Sequence, residues 1–526
     1  MAYEGLNEFS LELERIGELV RVHAPVDPHL EVAAIADRVV KSGGPALLFD
    51  HVVSSSGVRS AFPLLINAYG SRRRMSKALS VDDLDDHVRS IEGLLAAANA
   101  PGAHKNGHGA GRVSEIARVL SMLPSLANVP PRTVESGACQ EIVARGDDVD
   151  LDALPIITAW PDDGGPFITL PIVITRHPET GARNLGMYRM QRLDRRTTAM
   201  HWQIHKTGAA HFNAAKKLGA RLPVAVVLGG DPAYAYAATA PLPEGVDEMM
   251  LAGFLRKRAV RLVKCKTIDL EVPADADFVL EGYVDPSEPL VDEGPFGDHT
   301  GYYTPVEPFP AFHVTALTRR RDAIYPTTIV GRPPMEDAWL GKATERLFLP
   351  LIRLQLPEIV EMNLPVEGAF HNLCIVSIKK AFPWHGRKIA HSIWGAGQMM
   401  FTKAIVVVDD DVDVHDVEEV AWRVLANIDP KRDLSFGDGP SDQLCHAGDV
   451  ACFGGKVVID ATRKWREEGY GRVWPEVCVH GEPTTKRVEA RWAEYGIDRA
   501  RPNAALMKEP SSALKKLVDA AREIVR

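Results

Sequence analysis

The hydrophobic pattern of this chain changes twice, and the changes restrict the folds that it can adopt. Residues 8 to 50 alternate between helical and strand-like runs, as HLEVAAIADRVV followed by GGPALLF illustrates. From about residue 130 to 325, short β-branched or aromatic runs are separated by Pro, Gly and Asp, which is typical of a mostly β domain. After about residue 340 the helix–strand alternation returns. The pattern therefore predicts a β domain between two segments of alternating helices and strands.

Length, charge and cysteine use narrow the class of protein. A chain of 526 residues is too long for one ordinary core, so about two to four domains are expected. A formal net charge of −9 offers no basic surface, so nucleic acid is not an expected partner. We expect at most peripheral membrane contact, because no apolar run reaches the roughly 18 residues of a membrane span. The acidic start lacks the features of a signal peptide, and six cysteines without a C-x-x-C pair predict reduced thiols in a cytoplasmic protein.

The nine residues EGPFGDHTG, 293 to 301, bring two carboxylates and a histidine together among backbone breakers. Three glycines and a proline exclude a helix interior and predict a tightly turned segment. Such a turn can direct Glu293 and Asp298 at one point, and it can equally be a polar surface loop. The residues alone leave both interpretations open.

A second stretch, 182 to 212, combines polar and basic side chains with aromatic ones. Asn184 and His205 could lie on adjacent strands and converge on a metal ion. Arg189 and Lys206 offer donors for a phosphate, which a divalent ion often bridges to protein. A polar hairpin with ordinary hydrogen bonds explains the same residues.

Three further patterns carry weaker signals. Glu248 follows a turn and precedes a helical run, where an acidic residue is favoured without any functional role. The run Asp409 to Asp411 follows an apolar strand and is explained by a turn and a helix cap. The tripeptide GAG at 395 to 397 lacks a full nucleotide-binding pattern.

Taken together, the blocks of this sequence resemble one family, the UbiD-type decarboxylases, which use prenylated FMN. The blocks occur in the family's order and run to about residue 470: WPDDGGPFITLPIVIT, RNLGMYRMQ, VDEGPFGDHTGYYTP, GRPPMEDAWLGKA and AIVVVDDDVDVHD. The similarity is closest to the branch that acts on 3-polyprenyl-4-hydroxybenzoate and related hydroxybenzoates. It is weaker to the ferulic acid decarboxylase branch, which has Glu where this chain has Asp298.

The resemblance implies a cofactor site and a metal site. Family ligands to a divalent ion, Mn²⁺ or Mg²⁺, match Asn184, His205 and Glu248, and the ion holds the cofactor phosphate. The resemblance also allows a potassium ion nearby. The residues that match the prenylated-FMN cradle are Met187, Tyr188, Arg189, His201, Trp202, Gln203, Lys206 and Thr207.

The resemblance also implies a catalytic set, Arg189, Glu293 and Asp298. The modified flavin supplies the sink for the electrons left by carbon dioxide. Arg189 is expected to hold the substrate carboxylate, and Asp298 or Glu293 to return a proton to the carbon, with Asp298 favoured. Burial beside a second carboxylate is expected to raise the pKa of such an acid towards the working pH.

The resemblance completes the expected architecture. We expect an α/β domain over 1–120, a split β-barrel of the flavin-reductase kind over 121–325, an α/β domain over 326–500, and an amphipathic helix over 501–526 that can contact another subunit. The family favours a hexamer and allows a dimer, with a flavin prenyltransferase as cofactor supplier. The expected activity is reversible decarboxylation of an aromatic or α,β-unsaturated acid, with quinone biosynthesis as one context. An FMN-dependent reductase or a non-enzymatic flavin-binding protein on the same barrel is the alternative.

Overall fold

A computed structural model describes residues 2–98, 129–242 and 246–496 of the chain. Residues 1–468 form one compact unit, and the chain from residue 469 onwards forms a second. The glycine-rich segment 100–111 and the expected terminal helix 501–526 lie outside the described residues. Among those that are described, no helix is both long and apolar enough to cross a membrane.

The N-terminal part of the first unit is a small α/β layer. Its elements are α1 (Leu6–Arg15), β1 (Leu19–Val22), α2 (Glu31–Lys41), β2 (Ala46–Phe49), β3 (Leu64–Ile66), α3 (Arg72–Ala78) and α4 (Asp85–Ala98). The strands pair in the order β1-β2-β3, and a later strand, Tyr325–Pro326, adds to β3 in parallel. The chain thus returns to its first domain after the central one is complete.

The central part consists mostly of short strands, as the pattern predicts. Its elements in chain order are β4 (Arg132–Val134), β5 (Ile142–Arg145), β6 (Phe167–Ile168), β7 (Ile172–Arg176), β8 (Arg183–Met187), β9 (Met190–Arg192), β10 (Thr197–Met200), α5 (Thr207–Leu218), β11 (Leu222–Leu228), α6 (Ala233–Ala237), α7 (Glu248–Leu255), β12 (Arg261–Lys264), β13 (Glu271–Pro273), β14 (Phe278–Val284), β15 (Val291–Glu293), β16 (Phe296–Gly297), β17 (Tyr303–Thr304), β18 (Glu307–Phe309), β19 (Ala311–Arg319) and β20 (Tyr325–Pro326).

A nine-stranded antiparallel sheet forms the frame of this central part. Its order is β6-β9-β10-β19-β14-β11-β7-β8, with β5 paired to β19, and it curls into a half-barrel. Alternate residues of VAVV in β11 face opposite sides, so Ala225 and Val227 join one core while Val224 and Val226 join another. Because both of its faces are buried, β11 is continuously apolar.

The C-terminal part is a second α/β layer. It contains α8 (Asp337–Gln355), β21 (Ile359–Asn363), β22 (Leu373–Ile378), α9 (His385–Trp394), β23 (Ala404–Asp409), α10 (Val417–Asn427), α11 (Pro430–Asp433), β24 (Leu434–Pro440) and β25 (Phe453–Asp460). The sheet order is β21-β22-β23-β25-β24, with β22, β23 and β25 parallel. Mixed α/β structure around a central antiparallel half-barrel confirms the predicted fold class.

The second unit is described as far as residue 496 and contains α12 (Glu482–Ala490). All six cysteines of the chain are free thiols, as their spacing predicts.

Candidate active site

Arg189 lies between β8 and β9 and is held by two buried carboxylates. Its Nε and NH2 donate to the two oxygens of Glu293 at 2.7 and 2.9 Å, a bidentate pair. Its NH1 donates to Oδ2 of Asp298, and NH2 also reaches the hydroxyl of Thr304 at 3.0 Å. The guanidinium lies 4.5 Å from the centre of the Phe296 ring. The three residues expected to be catalytic therefore meet in one cluster.

A loop from the block WPDDGG fixes the turn that carries both acids. Asp163 accepts from the backbone N–H of Gly297 at 2.8 Å and from that of Trp160 at 2.9 Å. Gln191 accepts from the N–H of Gly294 at 2.7 Å and donates to the carbonyl of Gly164 at 2.8 Å. These hydrogen bonds attach the turn to the half-barrel, so the carboxylates are held by a rigid frame.

The electrostatics of the two acids differ from the sequence-based expectation. Burial favours a raised pKa for Glu293, but hydrogen bonds from Arg189 and His201 outweigh burial and lower that pKa to about 2. Burial acts in the same way on Asp298, and His299 together with Arg189 holds its pKa well below the usual range. The expectation of raised pKa values is wrong for this state, because a cation is close enough to each carboxylate to overcome its desolvation.

A pair of histidines extends the cluster beyond Asp298. Oδ1 of Asp298 accepts from the backbone N–H of His299 at 2.7 Å and lies 2.9 Å from its Nδ1. The other ring nitrogen, Nε2 of His299, lies 2.7 Å from Nε2 of His371. Burial lowers the pKa of His299, but hydrogen bonding to Asp298 outweighs burial and raises it.

The cluster forms one wall of a cavity of about 670 Å³, within the size range of small-molecule and cofactor sites. On the side of the half-barrel, the lining includes Met187, Tyr188, Arg189, His201, Gln203, Lys206 and Asp298. On the side of the C-terminal part, it includes apolar residues of α8 and of the segments after it: Leu340, Phe348, Leu351, Ile352, Leu356, Met362, Leu364, Ile393, Met399 and Phe401. The cavity thus combines a polar end with a long apolar wall.

The residues expected to cradle the cofactor fit a polar ligand. Six of the eight line the cavity. Within the described part of the chain, Nε2 of His201 and Nε1 of Trp202 are buried without a hydrogen-bond partner, which a bound ligand could supply. Burial lowers the pKa of Lys206, so an anion beside it would be favoured. Thr207 is exposed at the first position of α5.

The structure brings two of the three expected metal ligands together. Glu248, the first residue of α7, accepts from the N–H of Leu185 at 3.0 Å, next to the buried Asn184. Burial raises the pKa of Glu248 to about 7, so its ionised form would be stabilised by a nearby cation. His205 is exposed, with its ring 5.3 Å from that of Phe401. Carboxylate, amide and imidazole form a donor set suited to Mn²⁺ or Mg²⁺, and its use as a metal site stays a prediction.

Several cavity residues were not singled out from the sequence. Asp337 begins α8 within the block GRPPMEDAWLGKA, and burial raises its pKa to about 7. His371 and Asp442 lie in segments without a motif, so only the fold reveals them. The tripeptide 395–397, a weak signal on its own, lines the cavity.

Comparisons with known proteins agree with this architecture. Models of three domains of 3-octaprenyl-4-hydroxybenzoate carboxy-lyase match the chain: the N-terminal domain at 11–92, the Rift-related domain at 132–333 and the C-terminal domain at 338–461. An uncharacterized protein of Archaeoglobus fulgidus is 50% identical over 496 residues, which are 94% of this chain and 99% of that protein. One of Aquifex aeolicus is 49% identical over 498 residues, with the same shares.

Solved structures show the same fold. The UbiD-class enzyme HmfF of Pelotomaculum thermopropionicum, in complex with FMN, is 29% identical, with a TM-score of 0.74 and coverage of 92% of this chain and 99% of that one. An evolved dimeric form of HmfF in complex with prFMN is also 29% identical, with a TM-score of 0.73 and coverage of 93% and 100%.

A likeness of fold alone extends to vanillic acid decarboxylase of Sedimentibacter hydroxybenzoicus in its closed form. That chain is 24% identical, with a TM-score of 0.78 and coverage of 95% of this chain and 100% of its own. With the three family domains matched in order along its length and a relative 50% identical over 94% of it, the chain belongs to the UbiD family of carboxy-lyases.

Proposed function

We propose that this protein is a reversible, non-oxidative decarboxylase of an aromatic or α,β-unsaturated carboxylic acid that uses prenylated FMN. The observation that carries the proposal is Arg189, held between two buried carboxylates at the wall of a cofactor-sized cavity. Complexes of the similar enzyme HmfF with FMN and prFMN support the choice of cofactor.

Residues at the polar end of the cavity would hold the cofactor. Lys206, on the cavity wall, would supply a positive charge to the cofactor phosphate. Asn184, His205 and Glu248 would hold a divalent ion that offsets the remaining negative charge. Met187, Tyr188, His201, Trp202 and Gln203 would surround the ring system. When bound, the cofactor supplies the electron sink for decarboxylation.

Arg189 would bind the substrate carboxylate, and Asp298 would protonate the product carbon. Four of the five guanidinium N–H groups already have partners, and NH1 carries the contact to Asp298. When a substrate carboxylate takes the place of Asp298 at Nη1 of Arg189, Asp298 loses its contact with the guanidinium cation. Loss of this cation raises the pKa of Asp298, so substrate binding itself would prepare it to protonate the product carbon. The overall reaction converts one carboxylate and one proton into one carbon–hydrogen bond and carbon dioxide.

The shape of the cavity indicates the general class of substrate. The apolar wall along α8 would hold an aromatic body, and its length gives room for an apolar substituent. Hydroxybenzoates, polyprenylated ones included, heteroaromatic acids and polycyclic acids present the same reacting end. A screen of carbon dioxide release across these acids, with enzyme reconstituted with prenylated FMN, identifies the class.

The test of the function is the Asp298→Asn variant. It keeps the shape of the side chain but removes its negative charge and its ability to carry a proton. Glu293 still holds Arg189 through two hydrogen bonds, so fold and cofactor should remain. Carbon dioxide release, and exchange of the product's hydrogen with deuterated solvent, should both fall by about 10²-fold or more. Asp292→Asn, which removes an exposed carboxylate one residue before Glu293, is the matched control and should behave as the wild type.

Two results would contradict the proposal. Near-normal hydrogen exchange in Asp298→Asn assigns the proton to Glu293 instead. Absence of carbon dioxide release from every acid, together with oxidation of NAD(P)H by FMN-loaded protein, identifies a reductase.

The expected assembly belongs to the same proposal. We infer a homo-oligomer, a hexamer rather than a dimer, with cofactor supplied by a flavin prenyltransferase. Light scattering at micromolar concentration measures the mass, and a monomer contradicts the inference.

A further inference from the structure

His299 and His371 form a hydrogen-bonded chain that ends on Asp298. The Nε2 atoms of the two rings lie 2.7 Å apart, and Nδ1 of His299 lies 2.9 Å from Oδ1 of Asp298. At the other end, Nδ1 of His371 is buried and has no hydrogen-bond partner among the described residues. Both rings line the cavity. The chain therefore has one end on a carboxylate and one end open to a proton donor.

We propose that His371 and His299 relay protons to Asp298, an inference that rests on the proposed function. A decarboxylase consumes one proton per turnover, and Asp298 is only 6% exposed, so its proton must be replaced through neighbouring groups. The relay supplies that route.

The hydrogen bonds allow a balanced transfer. A carboxylate only accepts, so in the depleted state Nδ1 of His299 carries a hydrogen and its Nε2 accepts from His371. When a proton binds Nδ1 of His371, the hydrogen on Nε2 of His371 can pass to Nε2 of His299. The hydrogen on Nδ1 of His299 then passes to the carboxylate of Asp298. One proton enters, one reaches the carboxylate, and no bond other than N–H and O–H bonds is broken. Each ring is left with its hydrogen on the opposite nitrogen, and exchange with water restores the first pattern.

The charges around the two rings suit this role. His299 faces Asp298, Asp337 and Asp442, which favour its protonated form against the effect of burial. Burial and the neighbouring His299 together lower the pKa of His371 to about 4, although Asp442 acts in the opposite direction. His371 thus stays neutral and free to accept.

Two cations, Lys403 and Lys206, also lower the pKa of His371. Asp442 is half-buried and lines the same cavity as the two rings.

The first experiment measures proton movement without any cofactor. The hydrogen on Nδ1 of His299 is followed by NMR of histidine-labelled protein, and its exchange with water is compared between wild type and His371→Gln. Loss of the route should slow this exchange about 10-fold or more, the scale of a lost proton-transfer partner. A merely structural role for His371 would loosen the site and make exchange faster. Unchanged or faster exchange overturns the relay.

The second experiment measures turnover of enzyme loaded with prenylated FMN. In His371→Ala, kcat should fall about 10-fold or more while KM stays nearly constant, and added imidazole should restore much of kcat. His391→Ala, an exposed histidine on α9, is the control that neither loses activity nor responds to imidazole.

Failure of imidazole to restore kcat, or a normal kcat in the variant, shows that His371 does not supply the catalytic proton. If the wild type decarboxylates no acid, the proposed function fails, and the exchange experiment still decides whether protons reach Asp298 through His371.

Discussion

Arg189 illustrates how a buried charge is tolerated at this site. Two carboxylates surround one guanidinium, which leaves a surplus negative charge in a desolvated cluster. His299, whose pKa is raised, can balance that surplus when protonated. Buried ions are costly unless they are paired and hydrogen-bonded, so the cluster is stable only as a set. Any ligand carboxylate that enters must replace one of its members.

The lowered pKa of Glu293 makes stability depend on pH. Its pKa falls from 4.5 to about 2 in the folded protein. A carboxylate with a depressed folded pKa stabilises above its unfolded pKa, and this contribution is lost as pH falls through the folded value. The lost contribution is about 3 kcal/mol. At neutral pH the melting temperature of Glu293→Gln should therefore be lower than that of the wild type. This difference should become smaller as the pH falls from about 4.5 to about 2.

Calorimetric melting of both proteins across that range checks the prediction. Asp292→Asn is again the control, because its carboxylate is exposed and should leave the pH dependence unchanged. If the difference in melting temperature between the two proteins stays constant with pH, contact with Arg189 does not lower the pKa of Glu293.

At the scale of the element, the glycines of the turn serve packing as well as conformation. A Cβ at Gly297 would lie 2.2 Å from Cδ1 of Trp160, so the ring of Trp160 occupies the space of a side chain. Gly294 and Gly301 have φ values of 100° and 82°, which favour glycine. Contact with Trp160 and backbone geometry therefore both require glycine in this turn.

Gly297→Ala should consequently disturb the site more than its size suggests. The methyl group must displace Trp160, whose Nε1 donates to the carbonyl of Val330 at 2.9 Å. We expect a loss of about 1–3 kcal/mol in stability and reduced cofactor retention. Melting temperature and bound flavin absorbance measure both effects.

Gly455→Ala is a matched control, because a Cβ there meets nothing within 4 Å. If Gly297→Ala has the same melting temperature and the same bound flavin as this control, the space taken by Trp160 does not require glycine at position 297.

In helix α10, the apolar face predicted from the sequence is wider than the face that is buried. The helical period of this segment predicts that Val417, Val420, Ala421, Val424 and Leu425 share one apolar face. In the structure Val420 and Val424 pack against the sheet, whereas Val417 is 37% and Leu425 80% exposed. The period of a helix fixes which residues share a face, but the width of the contact depends on the neighbouring sheet.

At the scale of the whole molecule, the cavity joins the half-barrel to helix α8 and the segments after it. A ligand there contacts residues that are far apart in sequence, from Thr169 to Leu444. Binding should therefore stabilise the first unit as one body, by about 2.7 kcal/mol at about 100 times the Kd.

This coupling predicts that metal and flavin act together. Mn²⁺ with FMN should raise the melting temperature more than the sum of either alone, because the ion offsets the charge between phosphate and Glu248. Glu248→Ala should lose this cooperative shift while keeping its fold, and the exposed Glu418→Ala should retain it. A full cooperative shift in Glu248→Ala contradicts the metal assignment.

Local patterns in the chain were enough to predict the order of the three architectures and many of the site residues. Local periodicity is set by neighbours in the chain, so the strands of the half-barrel and the segments CIVSIKK and AIVVV could be predicted. The blocks around Arg189 and EGPFGDHTG named residues that the structure brings into contact. Resemblance to a family supplied the link between them, since spacing alone allowed the first to be an ordinary polar hairpin and the second a polar surface loop.

The protonation and the surroundings of these residues depend on contacts that arise in the folded protein. The low pKa of Glu293 arises mainly from Arg189, which lies 104 residues away in the chain. The pKa of Asp298 is lowered by its neighbour His299 and also by Arg189, which lies 109 residues away. His371 meets His299 across 72 residues, and Asp337 and Asp442 reach the same cavity from separate segments. Electrostatic energy and desolvation depend on distance and burial in space, and a linear pattern carries neither.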